Sequence, residues 1–354
     1  MVLSRLHLEN FRSYADQVVS LDPVITLVIG PNATGKTNLL ESLFVLATTK
    51  SFRAKDTELI RHNEDFYRIS VVADTAEIAL GYQSTDSGSE KRARHDGSPR
   101  SLVDHLGTLL VVLFEPNDIL IIHGAPERRR RYLDFILTQT DKQFVRTLSK
   151  YRRVLSQRNR ILADWHGDTG ELFAWNLQLT ALASDIDARR RRLVAHVSEL
   201  ASGFYAEIAR GVEPLSLAYL GVCEDDYPTN FLRLLERNLP RDIGAGFTTI
   251  GPHRDDLGIE FKGAPITTVA SRGEMRTVLL ALKLAELAYI EEHTGTRPLL
   301  LLDDVFSELD DTRRRYLLEA LGGHQAVITT TNADVEDELS AQHATIYTQE
   351  LQRA

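Results

Sequence analysis

The fold is decided by the stretch Gly30-Pro31-Asn32-Ala33-Thr34-Gly35-Lys36-Thr37, which directly follows the apolar run 24–29. The stretch matches the pattern G-x-x-x-x-G-K-[ST], a loop whose backbone N–H groups surround phosphate oxygens at the N-terminus of a helix. The required context is present: the apolar run predicts a strand, and the residues from Asn38 onward carry apolar side chains at helical spacing. In such a loop Lys36 contacts the β- and γ-phosphates and Thr37 ligates Mg²⁺. The sequence therefore predicts an α/β nucleotide-binding fold with ATP and Mg²⁺ as cofactors, and Asn38 belongs to the predicted binding residues.

A second part of the same site is predicted near the other end of the chain. Residues 299–302 are four leucines, and Asp303 and Asp304 follow them. By itself, an apolar run that ends in acids also occurs in an ordinary buried strand, and that alternative stays open for this segment. Beside a phosphate-binding loop, Asp303 is predicted to hold the metal and Asp304 to orient the attacking water. Lys36 and Asp304 are thus the predicted catalytic residues.

Composition limits the remaining possibilities. The chain has 354 residues, and its 50 acidic and 41 basic residues give a net charge of −9, so any nucleic-acid binding must come from local patches. A single cysteine excludes an intramolecular disulfide and suits a reducing compartment. No segment reaches the roughly 18–20 apolar residues that a membrane span needs. We therefore expect a cytoplasmic protein without a membrane partner.

The segment between the two parts of the site reads as an insertion. We expect residues 1–126 and 245–354 to form the nucleotide-binding head, and residues 127–244 to form a mainly helical lobe. Apolar residues recur every three or four positions over 144–162 and again over 172–204, with a turn at 166–170 between them. This pattern predicts an antiparallel helical hairpin whose second helix extends ~55 Å. We expect it to be a projecting arm rather than a core.

Basic clusters in the insertion are candidates for DNA contact. Arg128, Arg129 and Arg130 open a helix, where positive charge opposes the helix dipole; DNA contact and ion pairs with neighbouring acids remain equally open. A second row, Arg146, Lys150 and Arg153, lies along one helix face, with phosphate contact and solvation again both open. For the run 189–192 a solvated helix face is favoured. His253 is either a buried structural histidine or part of a DNA or inter-lobe contact.

The run Ser271-Arg272-Gly273-Glu274 opens a helix a few dozen residues before the second acidic strand. It resembles the signature motif of ABC-type ATPases, which implies that its serine and glycine contact the γ-phosphate held by an opposite subunit. Residues 307–310, ending in Asp310, resemble the D-loop that crosses the dimer interface in that superfamily. The resemblance thus adds Ser271, Arg272, Gly273, Glu274 and Asp310 to the predicted nucleotide-binding residues.

A more specific resemblance is to the RecF family of bacterial recombination-repair proteins. Its motifs occur in order along nearly the whole chain, at residues 8–14, 50–53, 115–118, 124–134, 251–257 and 302–310. The family implies an ABC-type ATPase head, similar to the heads of chromosome-maintenance proteins, with mixed sheets and a short inserted helical arm. It also implies a homodimer that closes around two ATP molecules on double-stranded or gapped DNA. With RecO and RecR, such proteins direct RecA to gaps, and so support replication restart and the SOS response.

Three departures from the usual ABC pattern predict a weak ATPase that acts as a switch rather than a motor, and the family resemblance implies that its activity depends on DNA. Glu274 replaces the signature glutamine, Asp304 replaces a glutamate, and Thr331 stands where a histidine is common. Weaker positioning of water and protons can cost orders of magnitude in rate. The ATP-sensing glutamine of the superfamily is not assigned. The alternatives are the motor subunit of an ABC transporter, which predicts a membrane partner, and a phosphate-loop kinase, which would need neither signature nor D-loop.

Overall fold

The computed structural model describes residues 1–74, 76–85, 88–167, 169–211, 213–332, 335–339 and 343–348. The strands are β1 (Leu3–Phe11), β2 (Tyr14–Ser20), β3 (Ile25–Ile29), β4 (Phe66–Ala73), β5 (Ala76–Thr85), β6 (Gly88–His95), β7 (Ser98–Arg100), β8 (Val111–Phe114), β9 (Leu215–Leu220), β10 (Asp256–Phe261), β11 (Ala264–Pro265), β12 (Leu299–Asp303), β13 (Ala326–Thr330) and β14 (His343–Tyr347). The helices are α1 (Lys36–Thr48), α2 (Leu102–His105), α3 (Ile119–His123), α4 (Pro126–Thr140), α5 (Lys142–Ala163), α6 (Thr169–Ala209), α7 (Tyr227–Arg237), α8 (Leu239–Ala245), α9 (Ile266–Val269), α10 (Arg272–Thr294), α11 (Asp311–Ala320) and α12 (Val335–Glu338).

The chain forms two compact units, and their boundaries differ from the predicted ones. The first unit comprises Met1–Asp118 and Glu286–Ala354, and the second comprises Ile119–Ala285. Residues 245–285, expected in the head, group with the second unit because β10 pairs antiparallel with β9 from the insertion. This pairing joins segments that are distant in sequence, and no local sequence pattern predicts it. The signature run 271–274 therefore belongs to the second unit.

The first unit contains one antiparallel and one parallel sheet. The antiparallel sheet has the order β2-β1-β4-β5-β6-β7, and the parallel sheet has the order β14-β3-β13-β12-β8. The central strands β3 and β13 are buried along their whole length, as strands covered on both faces must be. Because β13 alone separates β3 from β12, the loop after β3 and the acids at the end of β12 lie at the same edge of the sheet.

The second unit is mainly helical, with the small sheet β11-β10-β9. Helix α6 is 41 residues long and packs against α4, α5, α7 and β9. Ile186, Leu193 and Val197 of α6 have no exposed surface. The expectation of an arm without a core is therefore wrong, because the apolar seam of α6 is covered on more than one side. Asp168, in the predicted turn between α5 and α6, lies outside the described residues.

Buried charges add to the apolar packing of the second unit. The Arg158 side chain has no exposed surface and donates to Asp242 Oδ2 at 2.8 Å, Asn176 Oδ1 at 2.8 Å and Thr248 Oγ1 at 2.6 Å. These contacts tie α5 to α6 and to α8 with the loop that follows it. Over the part of the chain that the structure describes, no helix is both long and apolar enough to cross a membrane. The architecture confirms the predicted α/β class with a mainly helical second unit, but each described sheet is either wholly parallel or wholly antiparallel rather than mixed.

Candidate nucleotide site

The loop after β3 has the geometry of a phosphate-binding loop. Ala33 and Gly35 adopt left-handed backbone conformations, with φ of 65° and 99°, and α1 begins at Lys36. The Lys36 ammonium donates to the carbonyl oxygens of Gly30 at 2.6 Å and Pro31 at 2.8 Å. Burial lowers the pKa of Lys36, and the neighbouring Asp303 and Asp304 oppose that shift. The Lys36 side chain is therefore held in place by the carbonyl oxygens of the same loop.

The two parts of the predicted site meet in the first unit. The Thr37 hydroxyl donates to Asp303 Oδ1 at 2.8 Å, across 266 positions of sequence. The Thr329 hydroxyl of β13 donates to the same oxygen at 2.7 Å. Mg²⁺ prefers oxygen ligands and is usually held by one or two protein groups together with substrate phosphates. A hydroxyl and a carboxylate in contact at the start of α1 fit that requirement.

Asp304 lies beside this pair in a different environment. Its backbone is left-handed, with φ of 50°, and its N–H donates to Thr329 O at 3.0 Å. Burial raises the pKa of Asp304, and Lys36 opposes that rise. Among the described residues, Asp304 Oδ1 is buried and finds no hydrogen-bond partner. Leaving such a group unpaired costs about 1–3 kcal/mol, so its retention here is typical of a group that acts on a bound substrate.

A polar network centred on Glu41 supports α1, and no sequence pattern around Glu41 predicts it. Glu41 is fully buried and accepts two hydrogen bonds from Arg12, at 2.9 and 3.0 Å, one from Arg53 at 2.9 Å and one from Ser51 at 2.5 Å. Burial alone would raise the pKa of Glu41, but these donors hold it below the ordinary value. Arg53 also donates to Asn38 Oδ1 at 2.7 Å. Arg53, from the motif 50–53, therefore helps to position Asn38, the residue that follows Thr37.

The signature run forms the N-terminus of α10 in the second unit. Ser271 N donates to Glu274 Oε2 at 2.7 Å, and Glu274 N donates to Ser271 Oγ at 3.3 Å. This reciprocal pattern is a capping box, and the spacing S-x-x-E could have been recognised in the sequence. A hydrogen bond from Lys262 is the main reason that the pKa of Glu274 falls to about 2. The glutamate is thus charged and held at the helix end.

Asp310, assigned to the D-loop, serves as the cap of α11. Its carboxylate accepts a hydrogen bond from Arg313 N at 3.0 Å and forms an ion pair with the Arg313 side chain. Ser307 Oγ donates to the Asp304 carbonyl oxygen at 2.7 Å. The D-loop run is therefore joined to the acidic strand end by a local hydrogen bond.

The predicted DNA-contact residues divide into two groups. The Arg129 guanidinium is paired with both carboxylate oxygens of Asp256, at 2.7 and 2.8 Å, and Arg130 donates to Asp255 O at 2.7 Å. Arg128 is half-buried at the start of α4. The other three, on α5, are exposed; they are Arg146, Lys150 and Arg153. Arg129 is therefore occupied inside the unit, whereas the α5 row faces solvent.

Two further interpretations are resolved by the second unit. The favoured solvated face at 189–192 is wrong for Arg190, which is 2% exposed and donates to Asp134 Oδ1 at 2.8 Å and to Pro252 O at 2.7 Å. His253 accepts or donates a hydrogen bond with Tyr151 OH at 2.7 Å, and burial lowers the pKa of His253 to about 4. His253 is therefore half-buried, and both of its ring nitrogens contact groups inside the second unit, as the structural alternative expects.

Comparison with known proteins places these features in a family. A family model described as the RecF/RecN/SMC N terminal domain matches residues 2–352. The DNA replication and repair protein RecF of Chloroflexus aggregans is 37% identical over 367 residues, which cover 94% of this chain and 94% of the relative. The protein of the same name from Geobacillus thermodenitrificans is 37% identical over 365 residues, covering 98% and 97% of the two chains.

Solved structures agree with the sequence relatives. The recombination mediator protein RecF-ATP in the RecFOR pathway has a TM-score of 0.88 and 33% identity, with 98% of this chain and 96% of that chain covered. The Smc head domain with a coiled coil and joint from Pyrococcus yayanosii has a TM-score of 0.54 and 15% identity, covers 97% and 94% of the two chains, and so shows likeness of fold alone. Together these likenesses confirm the predicted ABC-type ATPase head.

Proposed function

Because this chain belongs to the RecF family of DNA replication and repair proteins, we propose that it is an ATP-dependent DNA-binding protein of recombinational repair. The observation that carries the proposal is the meeting of Thr37 with Asp303, beside the unpaired carboxylate oxygen of Asp304. Thr37 comes from the phosphate loop, and the two aspartates come from the end of β12. A phosphate loop needs a metal-holding acid, and the acids need a bound phosphate. Membership of this family also leaves the transporter and kinase alternatives without support.

In this proposal the nucleotide is held by the loop 30–37 and by Asn38. Lys36 would exchange its two carbonyl partners for the β- and γ-phosphates, to which it offers a full positive charge. Thr37 and Asp303 would hold Mg²⁺, which neutralises phosphate charge when it is bound. The relative described as RecF-ATP supports ATP as the nucleotide.

Asp304 is the proposed water-orienting residue. Its raised pKa and its unpaired oxygen suit a group that accepts a proton from water. An aspartate is one methylene shorter than the usual glutamate, and Thr331 offers no imidazole to assist it. We therefore propose slow, DNA-dependent hydrolysis that ends a bound state, as in a switch rather than a motor.

The signature and D-loop residues are proposed to complete the site of a second copy. Ser271, Arg272, Gly273 and Glu274 form a helix N-terminus, which favours anions through its backbone N–H groups and its dipole. Asp310 would contact the nucleotide across the same interface. The proposed dimer thus encloses two ATP molecules, each between the phosphate loop of one copy and the signature of the other.

DNA contact is proposed for the exposed face of α5. The helix contains no acidic residue, in a chain whose net charge is −9, and Arg146, Lys150 and Arg153 lie three or four positions apart. This spacing places them on one face, as a backbone-binding row requires. Arg128 and Arg130 remain secondary candidates, and Arg129 is left out because Asp256 already pairs with it.

The wider role follows from the family. We propose that the protein acts in the cytoplasm with RecO and RecR to direct RecA to gapped DNA, and so supports replication restart and the SOS response. The domain assignment of 1–126 with 245–354 as the head, and 127–244 as the inserted lobe, remains part of this proposal for the functional division of the chain.

The deciding experiment compares the unmodified chain with Lys36→Ala and Asp304→Asn. Sedimentation velocity with ATP and duplex DNA should show a dimer for the unmodified chain and a longer-lived ATP-bound dimer for Asp304→Asn. Lys36→Ala should remain monomeric, because the phosphates lose their cation. A chain that stays monomeric with ATP and DNA present, or an Asp304→Asn variant that hydrolyses ATP at the unmodified rate, would contradict the proposal.

A further inference from the structure

The turn between β10 and β11 presents a lysine to the signature run. Lys262 and Gly263 both have left-handed backbones, with φ of 53° and 76°, as a tight two-residue hairpin turn requires. Lys262 N donates to Pro214 O at 3.0 Å, and its ammonium lies 5.0 Å from the ring centroid of the fully buried Phe261. The lysine therefore extends from a fixed turn rather than from a loose loop.

The Lys262 ammonium reaches the signature glutamate directly. It donates to Glu274 Oε1 at 2.6 Å, while the other carboxylate oxygen, Oε2, accepts Ser271 N at 2.7 Å. One carboxylate thus joins the β10–β11 turn to the first residues of α10. The side chains of Lys262 and Glu274 are 38% and 30% exposed, so an incoming ligand can reach this corner of the second unit.

The charge of Glu274 creates a difficulty for an anion-binding helix end. A carboxylate in the first turn stabilises the helix itself but repels a phosphate that approaches the same N-terminus. At a separation of a few ångströms in solvent, one uncompensated charge changes an affinity by roughly 3- to 10-fold. A signature with glutamate in place of glutamine therefore needs a nearby cation to remain a good anion site.

We propose that Lys262 is a positioning residue of the signature: it neutralises Glu274 and holds the capping box so that Ser271 can meet the γ-phosphate of a nucleotide on a second copy. This inference rests on the role proposed above for the signature in a dimer. It adds a residue that lies outside the signature, the phosphate loop and the D-loop. Lys262 acts through Glu274, so its effect should disappear when residue 274 carries no charge.

The test uses the full-length chain with Asp304→Asn as the background, so that ATP persists during the measurement. Self-association is measured by sedimentation with ATP and without DNA, for Lys262→Met, Glu274→Gln and the double variant. Lys262→Met should weaken the ATP-dependent dimer roughly 3- to 10-fold, the effect of one charge. The double variant should associate as well as Glu274→Gln alone. Binding of a fluorescent ATP analogue to the monomer should not change, because the phosphate loop is untouched.

Two controls separate the possible failures. Lys142→Met removes another exposed lysine of the second unit and should leave association unchanged. Lys262→Arg keeps the charge and should associate within about 2-fold of the background chain, which excludes a general folding defect. If the background chain does not associate with ATP, the proposed dimer fails. If it associates but Lys262→Met matches it, or the double variant is as weak as Lys262→Met, the role of Lys262 is overturned.

Discussion

Replacement of Glu41 by alanine should destabilise the first unit by about 2–4 kcal/mol, because it leaves two arginines without their buried counter-charge. Breaking a buried ion pair by removing one partner typically costs about 3–5 kcal/mol. Glu41 has no exposed surface, but the side chains of Arg12 and Arg53 are 21% and 35% exposed, so water can partly re-solvate them. The expected loss of unfolding free energy, about 2–4 kcal/mol, is therefore somewhat below the loss that is typical of a fully buried pair.

The assay must report on the first unit alone. Both tryptophans, Trp165 and Trp175, lie in the second unit, so their fluorescence would not follow the change. Native-state hydrogen exchange, read by mass spectrometry on peptides from β1 and α1, measures the opening free energy locally. Glu64→Ala is the matched control, because its carboxylate is 37% exposed and its distance to Arg61 is 4.0 Å. A loss at Glu41→Ala no larger than that of the control would refute the reasoning.

The same network makes a prediction about pH. The folded-state pKa of Glu41 is lowered from an ordinary value of 4.5, so its stabilising contribution is present above that value and is lost as pH falls through the folded pKa. The difference in opening free energy between the unmodified chain and Glu41→Gln should be full at neutral pH and should shrink in acid. A difference that stays constant from neutral pH into strong acid would show that the charge of Glu41 contributes nothing.

Two further predictions concern the second unit. The double change Lys150→Gln and Arg153→Gln should reduce the slope of log affinity for duplex DNA against log salt by about 1.8, or about 0.9 for each lost phosphate contact, as measured by fluorescence anisotropy. Arg131 also has an exposed side chain, and Arg131→Gln should leave this slope unchanged. An equal effect of the control and the double change would contradict DNA contact by the α5 row. Arg158→Ala should cost about 3–5 kcal/mol in guanidinium unfolding followed by tryptophan fluorescence, because it strands a buried carboxylate. Arg160→Ala, an exposed neighbour, should cost less than about 0.5 kcal/mol, and similar losses for both would refute the importance of the buried pair.

The phosphate loop and its acids could be predicted because their signals are local. The glycine spacing of 30–37 specifies a loop geometry, and the run before Asp303 specifies a buried strand. A parallel sheet then brings their carboxyl ends to one edge, which is why Thr37 and Asp303 meet. The capping box at 271–274 has an equally local signal, the S-x-x-E spacing, which the resemblance to an ABC signature does not bring out.

Non-local pairings explain what the sequence did not reveal. The sequence favours a solvated Arg190 because its partner in the fold, Asp134, lies 56 positions away. Glu41 interrupts an apolar helix and looks like an exposed position, yet three distant donors make its burial possible. The unit boundary near residue 285 likewise follows from the pairing of β9 with β10. In each case the contact joins two segments, and the sequence pattern of neither segment predicts that they meet.

The two acids at the end of β12 differ in a way that bears on the proposed hydrolysis. Asp303 Oδ1 already accepts hydrogen bonds from the hydroxyls of Thr37 and Thr329, so this carboxylate is fixed in direction. Asp304 keeps an unpaired buried oxygen, and burial raises its pKa. A fixed carboxylate suits a metal ligand, whereas a less tethered one with a raised pKa suits the transfer of a proton. Among the described residues, β13 supplies a hydroxyl to the side chain of Asp303 but not to that of Asp304, and this difference supports the separate tasks proposed above for the two acids.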